Sequence, residues 1–377
     1  MKKVLASLLS FVLVMSASIT AFGATTTDVE KPLESSIKFV YGDKKAFDVS
    51  ESKDYYLYLI AGEYDEQIAE AYLNSVKTAL DNGEKFNIGT LGMIISNVIL
   101  SLEDPTDFNG YDLLALFEKT ELSENDNLYT YMYATDIAFL LEDEAIGKQI
   151  CEKMISKYTM GVGTDFWGGW GTSADDLSVF IITLSAFDDA YADYIKDALT
   201  LLKGYNTEAG YDNYGANANS TALALAAYTS VLDEDAAEDA YNKLMLFYNK
   251  ETGGFTSNYD DVLATKDAIF GLSYYMLLAD FDFGDDDDSN KPVTEPDKEE
   301  KPVSPVVNIK DKNDKENASS SDKSETNSIK TETSSVKPEN EPQAPVKSPA
   351  TGAESAAFAL LAMVAAGGVM IASKKKK

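Results

Sequence analysis

The sequence predicts an all-α fold: an α6/α6 barrel of six helix pairs, followed by a disordered spacer and a C-terminal anchor helix. Three observations predict it. A turn of glycine and aromatic residues followed by an apolar helical run occurs three times, at Gly168-Gly169-Trp170, Gly210-Tyr211 and Gly253-Gly254-Phe255. Leu177, Thr221 and Thr265 in those runs stand 44 residues apart. A fixed period of about 20–50 residues marks a repeat architecture, whose units are each too small to bury their own apolar face. Next, runs that are apolar on nearly every side fall near Tyr58, Ile95, Thr135, Val179, Leu223 and Ile269 and alternate with amphipathic ones. A helix without a polar face belongs inside, so an inner and an outer ring follow. Finally, large apolar residues almost vanish over residues 285–347 and return in a run over 356–372. An open helical solenoid is the alternative architecture. Closure is favoured because the pairs total six and polar residues cluster at one end of the inner helices.

In chain order, residues 1–23 read as a secretory signal peptide: Lys2 and Lys3, an apolar run over 4–14, and small residues near Ala21 and Gly23. Residues 24–53 form a lead-in, whose short alternating apolar runs over 36–49 suggest a strand or an extended cap. The barrel spans 54–282. Its first pair combines the aromatic run 54–61 with Ile68, Tyr72, Val76 and Leu80 at helical spacing. A buried helix over 90–102 should stop at Pro105, with Asp107 or Asn109 capping a helix over 111–118. Another buried helix over 127–141 precedes an amphipathic one over 144–157 carrying Ile146, Ile150 and Met154 on one face. The three clear repeats follow, with outer helices over 191–202 and 236–248. Residues 283–347 are dense in Asp, Glu, Lys, Ser and Pro, a composition that cannot offset the entropy of ordering and reads as a spacer. Calcium is a marginal expectation there. Asp285 to Asp288 could attract it, but the 311–322 stretch has Glu316 where a calcium loop needs glycine.

Composition excludes more chemistry than it suggests. The chain has 63 acidic and 32 basic residues, every basic residue is lysine, and there is no histidine. Ser-His-Asp and Cys-His catalysis and histidine-containing zinc sites are therefore ruled out. No arginine fork is available for phosphate or carboxylate, and the net charge of −31 repels nucleic acid. No metal site is expected in the barrel. The single cysteine, Cys151, lies among apolar neighbours and reads as an inert buried thiol.

Two resemblances add to this. Ser348-Pro349-Ala350-Thr351-Gly352, an apolar run over 356–372 and Lys374 to Lys377 together resemble the cell-wall sorting signal of Gram-positive surface proteins. The resemblance implies that residues 348–377 form a membrane-inserted sorting signal. Sortase would cut after Thr351 and join it to peptidoglycan, leaving the protein secreted and wall-anchored. Ser348 stands where the family has leucine; that form is similar to a variant in clostridial relatives and bears on which sortase is implied. A plain membrane tail is the other reading of the same segment.

Thr90 with the helix after it, residues 104–114, the glycine-aromatic turns and Asn219-Ser220-Thr221-Ala222 resemble the α/α-toroid superfamily of terpenoid cyclases, protein prenyltransferase β chains and transcobalamin-like carriers. The secreted bacterial branch with prenyltransferase-like repeats is the nearest resemblance, over residues 54–280. Prenyl transfer in that superfamily needs zinc ligands and arginines absent here. The cyclases' Asp-x-Asp-Asp acid motif is matched only by Ser173-Ala174-Asp175-Asp176, with serine first. Cobalamin carriers complete their site with a second domain that this chain lacks, so cobalamin is a ligand with little support.

In such a barrel the loops entering the inner helices line one mouth, where helix N-termini suit polar or anionic groups. Ligand-binding candidates there are Trp167, Asp175, Tyr214 and Tyr259, then Trp170, Tyr211 and Asn219. The bland reading makes Trp170, Tyr211 and Phe255 staples between repeats, and Asp176, Asn219 and Ser220 helix caps. The reading adopted is a wall-anchored barrel that binds a small molecule, glycan or host protein without catalysis. The alternative is a carboxylate-dependent enzyme on glycans or isoprenoids, pairing Asp175 with Asp260 or Asp261 and keeping Asp176 as a further candidate. A purely structural surface head is the third.

Overall fold

The computed structural model describes residues 26–123, 126–140, 144–166 and 171–280. The signal peptide (1–23), the spacer (283–347) with Asp285 to Asp288 and the 311–322 stretch, and the sorting signal (348–377) from Ser348 through Gly352 lie outside the described residues, as do Trp167 and Trp170.

The described residues hold twelve α-helices: α1 (Thr26–Tyr41), α2 (Ser52–Ile60), α3 (Glu66–Asp81), α4 (Ile88–Leu100), α5 (Leu113–Glu118), α6 (Leu128–Leu140), α7 (Glu144–Ile155), α8 (Ala174–Ser185), α9 (Asp188–Lys203), α10 (Ala218–Ser230), α11 (Glu234–Leu244) and α12 (Asp261–Asp280). The even-numbered helices form an inner ring. Helix α2 packs on α4, α4 on α6, and so on to α12, which returns to α2. The ring therefore closes, and the solenoid alternative is excluded. Helices α5, α7, α9 and α11 back α4, α6, α8 and α10 from outside, and α1 backs α12. Helix α3 reaches the ring through Tyr72, whose hydroxyl lies 2.8 Å from Ser52 Oγ and accepts from Asn97 Nδ2 at 3.0 Å. The molecule is an α6/α6 barrel.

Helices α8 and α10 are buried on nearly all sides, as their composition requires. In α8 only Asp175 escapes burial, and in α10 only Asn219. These two positions are 44 residues apart, so the same repeat position faces out of the core twice. Two glycines set how closely the ring can pack. A Cβ on Gly92 of α4 would run into the Tyr133 carbonyl on α6, and one on Gly271 of α12 would lie 2.5 Å from the Ala222 carbonyl on α10. Backbone therefore meets backbone at both contacts.

The repeat spacing has a hydrogen-bonding cause. Tyr211 N donates to Thr221 Oγ1 at 3.0 Å, and Phe255 N donates to Thr265 Oγ1 at 2.8 Å. Each threonine hydroxyl in turn donates to the carbonyl four residues earlier, Asn217 at 2.7 Å and Asp261 at 2.6 Å. The turns at Gly210-Tyr211 and Gly253-Gly254-Phe255 are thus each pinned to the first turn of the inner helix that follows. Two-residue strands pair as antiparallel hairpins, β1 (Tyr158–Thr159) with β2 (Gly163–Thr164) and β3 (Asn206–Thr207) with β4 (Gly210–Tyr211), the second of which carries a glycine-aromatic turn.

Three expectations need correction. The lead-in is no strand or cap: its residues 26–41 form α1, an outer helix that completes the sixth pair from the opposite end of the chain. Helix α4 does not run to Pro105; it ends at Leu100, with Leu102 in the left-handed region at φ 65°. Helix α5 is capped by Asp112, which accepts from Ala115 N at 2.9 Å, instead of by Asp107 or Asn109. Cys151 is fully buried, and burial pushes its thiol up to about 12.

One carboxyl is half-buried inside this frame. Asp136 of α6 accepts from the Tyr56 hydroxyl at 3.5 Å, and desolvation raises its pKa to about 7. A folded pKa above the unfolded value of about 4 means that the folded chain holds this proton more tightly. The contribution to stability is complete below about pH 4 and is lost as pH rises through 7.

Two outcomes follow from the packing and from this group. Gly92→Leu should lower the thermal midpoint by an amount equivalent to about 1–3 kcal/mol, because overpacking at a backbone contact cannot be relieved by a rotamer change; an unchanged midpoint would refute the contact. Asp136→Asn should raise the midpoint over the parent at pH 8, with the gain shrinking toward pH 4. A gain independent of pH would show that the carboxyl is not protonated in the fold.

Candidate functional site

The inner helices α6, α8, α10 and α12 present their N-terminal turns to one mouth of the barrel. Each start is fixed locally. Ser173 caps α8 by accepting from Asp176 N at 3.1 Å, Asn217 caps α10 through Ser220 N at 2.9 Å, and Asp260 caps α12 through Val262 N at 2.8 Å and Leu263 N at 3.2 Å. Two hollows of about 610 and 460 Å³ occupy this mouth and share Tyr129, Asp175, Asn213 and Tyr214 as walls. The first also meets Thr172, Asp176, Tyr205 and Asp212; the second meets Lys53, Asn217, Asn219, Tyr259, Asp260 and Asp267.

Two carboxylates differ sharply in their surroundings. Asp175 Oδ2 accepts from Asn213 Nδ2 at 3.2 Å, while Oδ1 is buried with no hydrogen-bond partner. The Ser220 hydroxyl is close enough to favour the charged form but does not meet hydrogen-bond geometry, and it too is an unpartnered buried atom. Desolvation dominates and raises Asp175 to about 6, with the charges of Asp267 and Asp176 adding to the rise. Asp267 is also raised by burial, but Lys53, Asn219 and Lys266 all pull it back. Its Oδ2 accepts from Asn219 Nδ2 at 2.8 Å, and its Oδ1 lies 4.0 Å from Lys53 Nζ. Burial raises the Tyr129 hydroxyl, and the charges of Asp175 and Asp267 reinforce the rise, so it stays protonated between them.

The rim supplies aromatic faces. Tyr214 is 88% exposed and Tyr259 is 97% exposed. Tyr214 stands at the tip of a turn closed by Gly215 N donating to Asp212 Oδ1 at 3.0 Å, with its own φ at 59°. A bulky side chain in the left-handed region, held in solvent, is an uncommon and strained arrangement.

Most of the sequence candidates gather here, but not in their expected roles. Asp175, Tyr214, Tyr259 and Asn219 line the mouth. Asp176 lines it too, although only 3% exposed. Tyr211 does not: it is 1% exposed and tilted against Tyr228 at 6.1 Å, so its ring is a staple and no ligand platform. Phe255, fully buried against Tyr248, is another. Asp260 is spent on capping α12, and Asp261 accepts from Ser257 N at 2.7 Å, so neither is the free counterpart of Asp175. Asp267 is the carboxyl that shares the second hollow with Asp175 and whose charge raises it, and its own oxygens face Asn219 and Lys53. Sequence reading also passed over Lys53, Tyr129 and Asn213. Asp267 did leave a signal: in the two preceding repeats its position is Leu223 and Val179. A charge where the repeat demands an aliphatic side chain marks a departure from packing.

No protein-family model matches the chain, and no curated protein matches its sequence. Two solved structures are similar in outline, both of a mutant unsaturated glucuronyl hydrolase from Streptococcus agalactiae. The one complexed with dGlcA-GalNAc6S is 12% identical, with 69% of this chain and 93% of that chain covered at a TM-score of 0.45. The other is 11% identical, with 68% and 93% covered at a TM-score of 0.44. A likeness of that degree says nothing about activity, and the barrel architecture rests on the closed ring of helix contacts described above.

Proposed function

We propose that the barrel is a carboxylate-dependent glycan hydrolase, with Asp175 as general acid and Asp267 as the ionised partner. The observation that carries this is the contrast between two half-buried carboxyls sharing one mouth. Asp175 is held near neutral pH by desolvation and keeps an unpartnered oxygen. Asp267 has a lysine and an amide donor to stabilise its charge. Pairs whose surroundings divide them into an acid and an anion are what glycoside hydrolysis requires. Asp175 would protonate the glycosidic oxygen as the bond to the leaving sugar breaks. Asp267 would either activate water or stabilise the positive charge developing on the sugar ring. Tyr214 and Tyr259 would stack on sugar rings, and Asn213 and Asn219 would hold the carboxyls in place.

An isoprenoid substrate fits less well, because a cyclase cavity must be dry and aromatic and this mouth is walled by Asn213, Asn217, Asn219, Thr172 and several carboxylates. A binding role without catalysis keeps one observation in its favour: both oxygens of Asp267 are already engaged. We further propose that the protein is secreted and displayed through residues 348–377, with sortase joining Thr351 to peptidoglycan. That location would present the mouth to extracellular glycans.

Hydrolysis of a susceptible oligosaccharide should fall at least about 100-fold in kcat on Asp175→Asn, the loss expected of a general acid, while KM changes little. The parent's kcat should decline as pH rises through about 6, because the acid form is then lost. Sugar binding without turnover by the parent, unchanged in either variant Asp175→Asn or Asp267→Asn, would overturn the catalytic reading and leave the binding one.

A further inference from the structure

We infer that the mouth selects glycans bearing free amino groups and rejects acidic ones. This inference rests on the glycan reading above and goes beyond it by naming the substrate class. The charges on the walls point to it. Asp175, Asp176, Asp212, Asp260 and Asp267 face the two hollows, against Lys53 as the one cation among the lining residues. Lys53 is already committed to Asp267 at 4.0 Å. The chain contains no arginine that could be brought in from elsewhere. A uronate or sulfate entering would meet charge of its own sign with no uncommitted cation to pair with, and low-dielectric concave walls amplify that repulsion.

A second observation concerns what is missing a partner. Asp175, which walls both hollows, keeps Oδ1 buried without a hydrogen bond. When Asp175 is ionised, a hydroxyl or ammonium group on the ligand can donate to it, whereas a carboxylate or sulfate cannot. Between hydroxyl and ammonium, the rim decides. Tyr214 and Tyr259 offer open aromatic faces beside carboxylates, and a protonated amine gains from ring and carboxylate together. N-acetylation removes the charge and leaves stacking and neutral hydrogen bonds. A single engaged ammonium should strengthen binding roughly tenfold at low salt, and that advantage should shrink as salt screens the exposed rim.

The test is calorimetric titration of the full chain with three oligomers of matched length: glucosamine, N-acetylglucosamine and galacturonate, each at low salt and at roughly 0.5 M salt. The glucosamine oligomer should bind about tenfold more tightly than the acetylated one at low salt, the two should converge at high salt, and the galacturonate oligomer should not bind. The double variant Asp212→Asn and Asp260→Asn, which keeps an acceptor oxygen for the Gly215 turn and for the α12 cap, should reduce the preference to a few-fold. Equal affinities for glucosamine and N-acetylglucosamine at both salt concentrations, or tightest binding by galacturonate, would overturn the selectivity while leaving the glycan reading intact. An amino preference untouched by the double variant would also overturn it, since the wall charges would not be its cause. No binding by any of the three would overturn the glycan reading itself, and this inference with it.

Discussion

The ring closes at one seam, where α12 meets α2, and two crossed ion pairs hold it. Lys53 and Asp54 are adjacent on α2; Lys266 and Asp267 are adjacent on α12. Lys53 faces Asp267 at 4.0 Å, and Lys266 meets Asp54 at 2.6 Å, where the Tyr41 hydroxyl also donates to Asp54 at 3.0 Å. Each helix therefore gives one charge of each sign, and sliding either by a residue would set like charges against each other. Exposed ion pairs contribute little, but Lys266 and Asp54 are each only 24% exposed, and a half-buried charge left without its partner is costly. The seam gains specificity of register from this arrangement more than raw stability.

The N-terminal helix reinforces the same seam from outside. Ser36 Oγ donates to the Gly253 carbonyl at 3.2 Å, and the Tyr241 hydroxyl donates to the Asp28 carbonyl at 3.1 Å, contacts that span more than half of the chain. A Cβ on Gly254 would lie 2.8 Å from the Phe39 ring. Gly253, at φ 82°, and Gly254 thus leave room for Ser35 and Phe39 of α1. Closure and the mouth are then one problem. Lys53 and Asp267, which join the ring's ends, are also walls of the second hollow, so the charge that stabilises the proposed anion is in place only when the ring is shut.

What the sequence disclosed follows the range of the interactions involved. The inner ring was legible because a helix buried all round has a composition no surface helix shares, and because Thr221 and Thr265 repeat a local hydrogen bond at a fixed distance along the chain. Helix α1 was not. It contains Pro32, it has a polar outer face, and its partners are on α12 and the Gly253 turn, which no local pattern can point to. The site divides the same way. Asp175 was legible as an acid at the start of an inner helix. Asp260 and Asp261 drew attention as a conspicuous pair, yet a carboxylate before an apolar run is most often a cap, and that is how Asp260 is used. Asp267 was hidden inside an apolar helix, where only comparison with Val179 and Leu223 in the other repeats exposes it.

The protonation of Asp175 shows which force governs the mouth. It lies in the first turn of α8, where the helix dipole favours the anion by about 0.3–1 kcal/mol. Its pKa nevertheless rises from 3.8 to about 6, which is roughly 3 kcal/mol in the opposite direction. Burial and the neighbouring carboxylates outweigh the dipole. The proton is therefore held by exclusion of water and not by a dedicated partner, and it is sensitive to whatever fills the hollows. A ligand that covers Tyr129 and Asn213 would exclude more water and strengthen the acid's hold on its proton. A protonated amine on that ligand would act in the opposite sense on the surrounding carboxylates, lowering their mutual repulsion and with it the pKa of Asp175. Each protonated Asp175 is then a stronger acid, but less of it is protonated near neutral pH, so the range over which the acid can act moves to lower pH when an amino-bearing ligand is in place.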